Sequence, residues 1–399
     1  MTQASDSISL PPNKVARGNP TPHWLVEALY RALGRVGAKL GAAWVVALLA
    51  AAAFAPLLAN SMPYAVKIDG RWSSPLLQHL TYVDVTLMVA FIALMGLWCW
   101  RSGRFLTKLA LFSGLVTAAL ILSLWFCRPP LTVYHQYRVL QAEQQLQAVV
   151  RAPIPYSPAD KLYDQPDIIP PLPPSTTHWL GTDRFRQDIA SRMIHASRLS
   201  LSVGFIAVSI SAVIGITLGG LMGYFAGAMD MFGLRLVEIF STIPQLYLML
   251  AIVAFFGRDI YLIMVVIGLT SWPGYAYFTR AEFLRLRKQD FVQAAVATGT
   301  PMRSILFRHM LPNGMAPLLV NATFGVAGAI LAESSLSFLG LGVVDQASWG
   351  DMLNQAVSPG GGFYWWLATF PGLAIFFSVF AFNLVGEALR DAIDPHTQK

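Results

Sequence analysis

Long apolar stretches alternate along this chain with short polar connections, and the apolar stretches have the length a bilayer demands. A helix crosses a hydrocarbon core of about 30 Å with roughly 20 residues. Stretches almost free of Asp, Glu, Lys and Arg fall at 41–59, 84–100, 105–127, 199–223, 236–257, 259–279, 316–340 and 365–386. Each is predicted to be a spanning helix, the second being the shortest because Asp84 and Arg101 bound it. The connection 128–198 is far longer than the rest and carries eight prolines between Pro153 and Pro174. Runs such as Pro170-Pro171-Leu172-Pro173-Pro174 favour polyproline II, so an extended strap is expected there, preceded by a Gln-rich helical piece at Gln141–Val150.

Composition turns this pattern into a class. The chain is 55% hydrophobic and 12% charged, with a mean hydropathy of +0.54. A soluble domain carries about 25% charged residues, so a water-soluble enzyme and a disordered chain are both excluded. The fold expected is an all-α polytopic membrane protein of about eight transmembrane helices. The net charge of +7 points to orientation rather than to nucleic acid, because it is unevenly placed. With both termini cytoplasmic, the cytoplasmic segments hold 17 Lys and Arg, while the short loops opposite hold three, Lys67, Arg71 and Arg258. That is the positive-inside bias. No short apolar segment with a cleavage site precedes residue 41, so the first span is expected to stay in the membrane. The organisation expected is a cytoplasmic segment 1–40, a three-span region 41–127, the long external segment 128–198, a core 199–390 with a cytoplasmic loop 280–316, and a tail 391–399.

Candidate chemistry is sparse. Cys99 and Cys127 lie in apolar stretches and suggest neither a disulfide framework nor a zinc site. None of the seven lysines follows a glycine, so the phosphate cradle Gly-Lys-Ser/Thr is absent. No span carries a Ser/His pair, paired Asp or His-Glu-x-x-His, which disfavours an intramembrane enzyme and leaves no catalytic or metal-binding residues to name. Among ionisable groups near the membrane, Glu238, Glu333 and Glu387 sit near span ends, where a structural role outweighs a substrate role. His178, His195 and His309 are isolated and read as hydrogen-bonded structural residues. Asp183 and Asp188 are read as caps of the turn and helix leading into the fourth span, in preference to a metal pair. Gly215, Gly219 and Gly223 recur every four residues and suggest close helix packing, or else a groove along a path.

The loop 280–316 is the most informative segment. It is basic yet rich in helix signals. Asp290 is a candidate N-cap with Gln293 three residues on, and Gly299 a left-handed terminator. Thr300 then caps a second helix, with Pro301 in its first position and Pro312 as its stop. Small residues Ala294, Ala295 and Ala297 would make a compact knob suited to a partner's cleft; the plainer reading is a solvated helical loop.

The run Gln293-Ala294-Ala295, then Gly299, then Arg308-His309-Met310-Leu311-Pro312-Asn313, resembles the "EAA" loop of permease subunits of binding-protein-dependent ABC importers. Three further blocks resemble the C-type permease of oligopeptide, dipeptide and nickel importers. They are His178-Trp179-Leu180-Gly181-Thr182-Asp183; Glu333 to Gly342, including Ser337, with Ser348-Trp349-Gly350; and Pro371-Gly372 with Ala381-Phe382-Asn383-Leu384 and Arg390-Asp391-Ala392-Ile393-Asp394-Pro395. Two departures stand out. Gln293 replaces the family's glutamate, and Arg186-Gln187-Asp188 replaces its Gly-Arg-Asp. Family members have six spans, so the second and third look like an insertion. Val66-Lys67-Ile68-Asp69-Gly70-Arg71-Trp72 with Pro75-Leu76-Leu77 resembles the microcin-C-type subgroup. The resemblance implies a multi-pass inner-membrane subunit that pairs with a second, B-type permease and is served by a periplasmic or extracellular binding protein. It implies that two cytoplasmic ATPases, which hold ATP and Mg, dock on the loop residues Asp290 to Pro312, including Arg303. Glu333, Ser337 and Trp349 are candidates for a path or outer gate. The rival reading is an ion-coupled secondary transporter, and the substrate is left open.

Overall fold

The computed structural model describes residues 32–100, 105–127, 129–164, 169–343, 345–357 and 362–393. Most of the expected N-terminal segment and residues 394–399 of the tail, with Asp394-Pro395, therefore lie outside the described residues. Seven of the described helices are long and apolar enough to cross a bilayer, and a bent pair makes eight if it crosses as one span. They are α1 (Val36–Ala53), α2 (Tyr82–Cys99), α3 (Phe105–Phe126), α5 (Ile189–Phe225), the bent pair α6 (Gly227–Thr242) and α7 (Gln245–Phe256), α8 (Ile260–Leu286), α10 (Leu311–Leu336) and α12 (Trp365–Ile393). Between them lie the shorter helices α4 (Gln136–Ala142), α9 (Asp290–Ala297) and α11 (Trp349–Ala356).

Two elements depart from the expected spans for local reasons. The stretch 236–257 is not one helix: α6 and α7 meet at 72°. Pro244 lacks an N–H and its ring disfavours the helical region for its predecessor, and Ile243 is accordingly extended (φ −80°, ψ 117°). Conversely, Pro312 stops nothing. Helix continues past it from Met302 to Leu339, about 57 Å at 1.5 Å per residue, before Gly340 turns out of it at φ 77°. A wide turn over Ile305–Met310 absorbs the proline. There the Leu311 N–H reaches back five residues to the Leu306 carbonyl, and the Asn313 amide donates to the His309 carbonyl at 2.6 Å.

The core is built where α5 lies along α8. A Cβ on Gly215 would stand 2.4 Å from the Tyr275 Cβ, and one on Gly223 2.6 Å from the Arg280 carbonyl oxygen. The four-residue glycine spacing is thus a packing lane, which lets two backbones touch where no apolar solvent contrast drives them together. α10 packs against both α5 and α12, and α1 against α12. Leu48, Leu201, Ile330, Leu367 and Phe382 fill the shared interior.

The pair α2–α3 packs chiefly on itself, and most of its side chains face outward. Its links to the rest of the molecule include an edge-to-face contact of Phe91 with Phe54 at 5.5 Å and a buried ion pair of Asp84 with Arg198. Asp84 also completes a capping box with Thr81 at the start of α2.

At the same end of the bundle, the long connection departs from its expected form. Helix ends at Ala142, and Ala148–Val150 is a strand, not the end of a helix. This β3 pairs antiparallel with β1 (Ala65–Ile68), which pairs antiparallel with β2 (Arg71–Ser73), so the otherwise helical chain carries a small sheet in the order β2-β1-β3. Asp69 and Gly70, both at positive φ (48° and 74°), make the tight turn between β1 and β2. Over its described residues the strap beyond β3 runs as coil and turns, pinned down by Ile154, Tyr156 and Leu162, which bury against Ala59 and Ala190. Arg138 joins it by pairing with Asp160 and Asp164, both at 2.6 Å. That guanidinium holds the Asp164 carboxyl below the usual carboxylate range.

Candidate functional site

Two places in this scaffold gather the residues singled out in the sequence, one at each end of the bundle. The first is the knob between α8 and α10. Gln289, not Asp290, occupies the N-cap of α9, and no side chain caps it. Asp290 is the first helical residue, where its charge still suits the helix dipole. The capping box expected between Asp290 and Gln293 is therefore absent, and the Gln293 amide instead donates to the Arg287 carbonyl at 2.7 Å. Gly299 behaves as expected: at φ 70° it ends α9, its N–H bonding to the Val296 carbonyl and the Thr300 N–H to that of Ala295. This double bond pattern is a Schellman closure. Thr300 caps nothing, because Pro301 is the N-cap of the next helical turn.

The knob is held from inside by Val292 and Ala295, which bury against Phe283, Leu286, Ile305, Leu306 and Met310, with Leu311 at the edge. Ala294, Arg303, Arg308 and Pro312 face outward. So do Phe291, Val296, Met302 and Phe307, the last 59% exposed. These apolar side chains, with exposed Lys288, Arg303 and Arg308 on the same knob, make a surface whose apolar part nothing covers among the described residues.

The second place is the opposite end, where the blocks around His178 and Glu333 meet. Gly181 (φ 83°) passes so close to the strap that a Cβ would lie 2.5 Å from the Leu172 carbonyl oxygen. Thr182 accepts from the Leu172 N–H at 2.8 Å, and its carbonyl accepts from the Trp366 indole. Asp183 accepts from the N–H groups of Phe185 (2.9 Å) and Gln187 (2.8 Å). Burial pushes its carboxyl pKa up, against the opposing pull of Arg192 and these N–H groups. Asp188 caps α5 through the Ser191 N–H at 2.8 Å and holds the His178 ring, also at 2.8 Å, both side chains buried. Both aspartates thus act as caps, and Arg186 takes the positive φ (64°) that the family's glycine would occupy without strain.

Glu333 is fully enclosed. One carboxylate oxygen accepts from the hydroxyls of Ser337 (2.7 Å) and Ser348 (2.8 Å), and Ser348 in turn accepts from the Gly350 N–H at the start of α11. Trp349 is buried too, its indole donating to the Met193 carbonyl. Glu333, Ser337 and Trp349, expected as path or gate residues, therefore face the interior of this chain, where they clasp α11 to the end of α10. His195 and His309 bond to helix backbone or lie half-buried at the knob, with no ligand cluster around them; among the described residues no group of three or more His, Cys, Asp or Glu could hold a metal ion.

Other important partners escaped sequence reasoning. Arg192 joins Asp351 at 2.8 Å and Asp183 at 3.5 Å, so it ties the strap block to α11. Arg198 donates to the carbonyls of Ala52 and Ala53 as well as to Asp84. Arg280 grips Asp230 with both arms of its guanidinium. The one signal in the sequence was Asp84 at the edge of an apolar stretch, a charge that requires a partner without naming it.

A family model for the binding-protein-dependent transport system inner membrane component matches residues 215–399. The chain is 39% identical over 228 residues to the dipeptide transport system permease protein DppC of Alkalihalophilus pseudofirmus, covering 56% of this chain and 73% of that protein. It is 39% identical over 224 residues to the oligopeptide transport system permease protein OppC of Haemophilus influenzae, covering 55% and 70%. Against the glutathione transport system permease protein GsiD of Pectobacterium atrosepticum it is 37% identical over 228 residues, covering 56% and 74%. A solved structure of the MetNI methionine ABC transporter in an inward-facing conformation matches 51% of this chain and 97% of its own at 17% identity, with a TM-score of 0.43, too slight a likeness to carry weight. The identities and coverage, joined to the ordered sequence blocks and the bundle that carries them, place the chain in the family of binding-protein-dependent transport system inner membrane components, the multi-pass inner-membrane permeases of ABC importers.

Proposed function

We propose that this subunit imports peptides or peptide-like compounds, forming the path together with a second permease. Two ATPase subunits, which carry ATP and Mg, dock on the knob around α9, and a binding protein delivers substrate at the end bearing the strap and the clasp. Both termini and the knob then face the cytoplasm. The observation that carries this reading is the helical run from Met302 to Leu339, which ends where Gly340 turns at φ 77°. Its first turns carry the exposed apolar side chains Met302 and Phe307 of the knob, and its last two turns hold the Glu333–Ser337 clasp. Movement imposed at one end is conveyed about 57 Å to the other by a single rod. The DppC, OppC and GsiD likenesses support peptides as the substrate class.

The test is to replace Val296 and Phe307 with aspartate and to purify the tagged chain with its ATPases. Both side chains are exposed, so membrane insertion and the helical content of the chain are expected to survive while ATPase recovery falls at least tenfold. Undiminished co-purification would refute docking on the knob.

A further inference from the structure

A cleft of about 700 Å³ opens at the clasp end of the bundle, between segments far apart in sequence. Its walls are the strap at Pro158–Lys161, the first turns of α5, Arg258 before α8, and the loop after α10 through Gly340, Gly342 and Asp345. The volume lies within the range of small-ligand sites, about 300–1,000 Å³. Two of the arginines at its edge are committed: Arg192 to Asp351 and Asp183, Arg198 to Asp84. Lys161, Arg258 and Asp345 are not. Each is exposed and has no hydrogen-bond or ion-pair partner among the described residues. Two unpaired cations and one unpaired carboxylate, set among apolar surface from Phe185, Leu199 and Val343, match a solute that carries both charges and an apolar side chain.

From this we infer that the cleft binds a small zwitterionic peptide, with its carboxylate toward Lys161 and Arg258 and its ammonium toward Asp345. The inference rests on the peptide-import reading and adds to it a site within this chain. The floor of the cleft gives such binding a consequence. Gly340 turns at φ 77°, and Gly342 passes so close that a Cβ would lie 2.3 Å from the Ser337 hydroxyl, which itself bonds to Glu333. A ligand that shifts this loop therefore presses on the clasp, at the head of the rod whose other end forms the knob.

The test uses the intact complex of permeases and ATPases in lipid nanodiscs without binding protein. Tri-alanine is the probe, and saturation-transfer NMR, which detects weak ligands, is the readout. The wild-type complex is expected to give a signal that falls at least fivefold in the Lys161→Gln/Arg258→Gln double variant. The tri-alanine amide, which lacks the carboxylate, is expected to bind weakly to both complexes alike. Asp345→Asn should weaken tri-alanine but leave N-acetyl-tri-alanine unchanged. No signal from the wild-type complex, or equal signals from wild type and double variant, overturns the inference; so does a double variant that binds tri-alanine normally but loses capture of the binding protein, since the cleft is then a docking surface. Tri-alanine uptake by cells, measured with and without this chain, separates the two readings. Uptake that survives deletion of the chain defeats peptide import and the cleft together, whereas chain-dependent uptake with unchanged binding in the variants defeats the cleft alone.

Discussion

Replacing Gly219 with alanine adds one methyl group at the closest approach of α5 and α8. The new Cβ would stand 2.4 Å from the Ala276 carbonyl oxygen and 2.9 Å from both the Ala276 Cα and the Thr279 Cβ. Ordinary contact begins at 3.4 Å, so the helices must part by about 1 Å, the gap between 2.4 and 3.4 Å. Two of the three obstructing atoms are backbone and cannot rotate away. Parting lifts Tyr275 and Phe283 from their seats on Gly215 and Gly223, so the whole lane loosens. Overpacking of this kind costs about 1–3 kcal/mol. Gly114→Ala on α3 is the control, since a Cβ there meets nothing within 4 Å. Both substitutions gain the same intrinsic helix preference, so the difference between them isolates the contact. Thermal unfolding of the purified chain in detergent should place the Gly219 variant several degrees below the Gly114 variant. Equal midpoints would refute the close-approach argument.

Further outcomes follow from the ion pairs and the knob. Arg198→Gln strands the Asp84 carboxylate and leaves the Ala52 and Ala53 carbonyls without their donor. Breaking one side of a buried pair costs about 3–5 kcal/mol, and Asp84→Asn in the same chain should recover part of it, so a double-mutant cycle by equilibrium unfolding measures the coupling. Asp164 has its pKa depressed below its ordinary 3.8 by the hydrogen bond from Arg138. Its stabilisation is then complete above the unfolded value and is lost as pH falls from there through the folded value. The thermal midpoint should drop over that acid window in the wild type and drop less in Asp164→Asn; identical profiles would deny the pair a role. Gly299→Val forces a β-branched residue to φ 70° and should cost about 1–2 kcal/mol, read as faster proteolysis of the knob.

Much of the candidate site was legible as composition and spacing, and the reasons differ by residue. Gly299 was predictable because a left-handed terminator after a run of helix formers is a local event. Asp188 was predictable as a cap for the same reason. Asp290 was misplaced by one position, because Gln289 had already taken the extended conformation of the N-cap. Pro312 was misread as a stop, since the wide turn that accommodates it depends on how Ile305, Leu306 and Met310 seat against Phe283. Trp349 and Glu333 were grouped correctly by their family block, but their burial was invisible, because it is created by α11 folding back onto α10.

The sequence by itself determined what depends on neighbours along the chain: that this is a membrane protein, where most of its spans lie, that glycines every four residues invite a close partner, and which family blocks it carries. The tertiary structure alone decided which partner answers each demand. Asp84 meets Arg198 across more than a hundred residues, Arg192 meets Asp351, Arg280 meets Asp230, and the serine hydroxyls close on Glu333. The physical reason is that periodicity and propensity act over one or two helical turns, whereas a charge withdrawn from water is stable only beside its counter-charge, and which counter-charge arrives is fixed by the packing of helices remote in sequence.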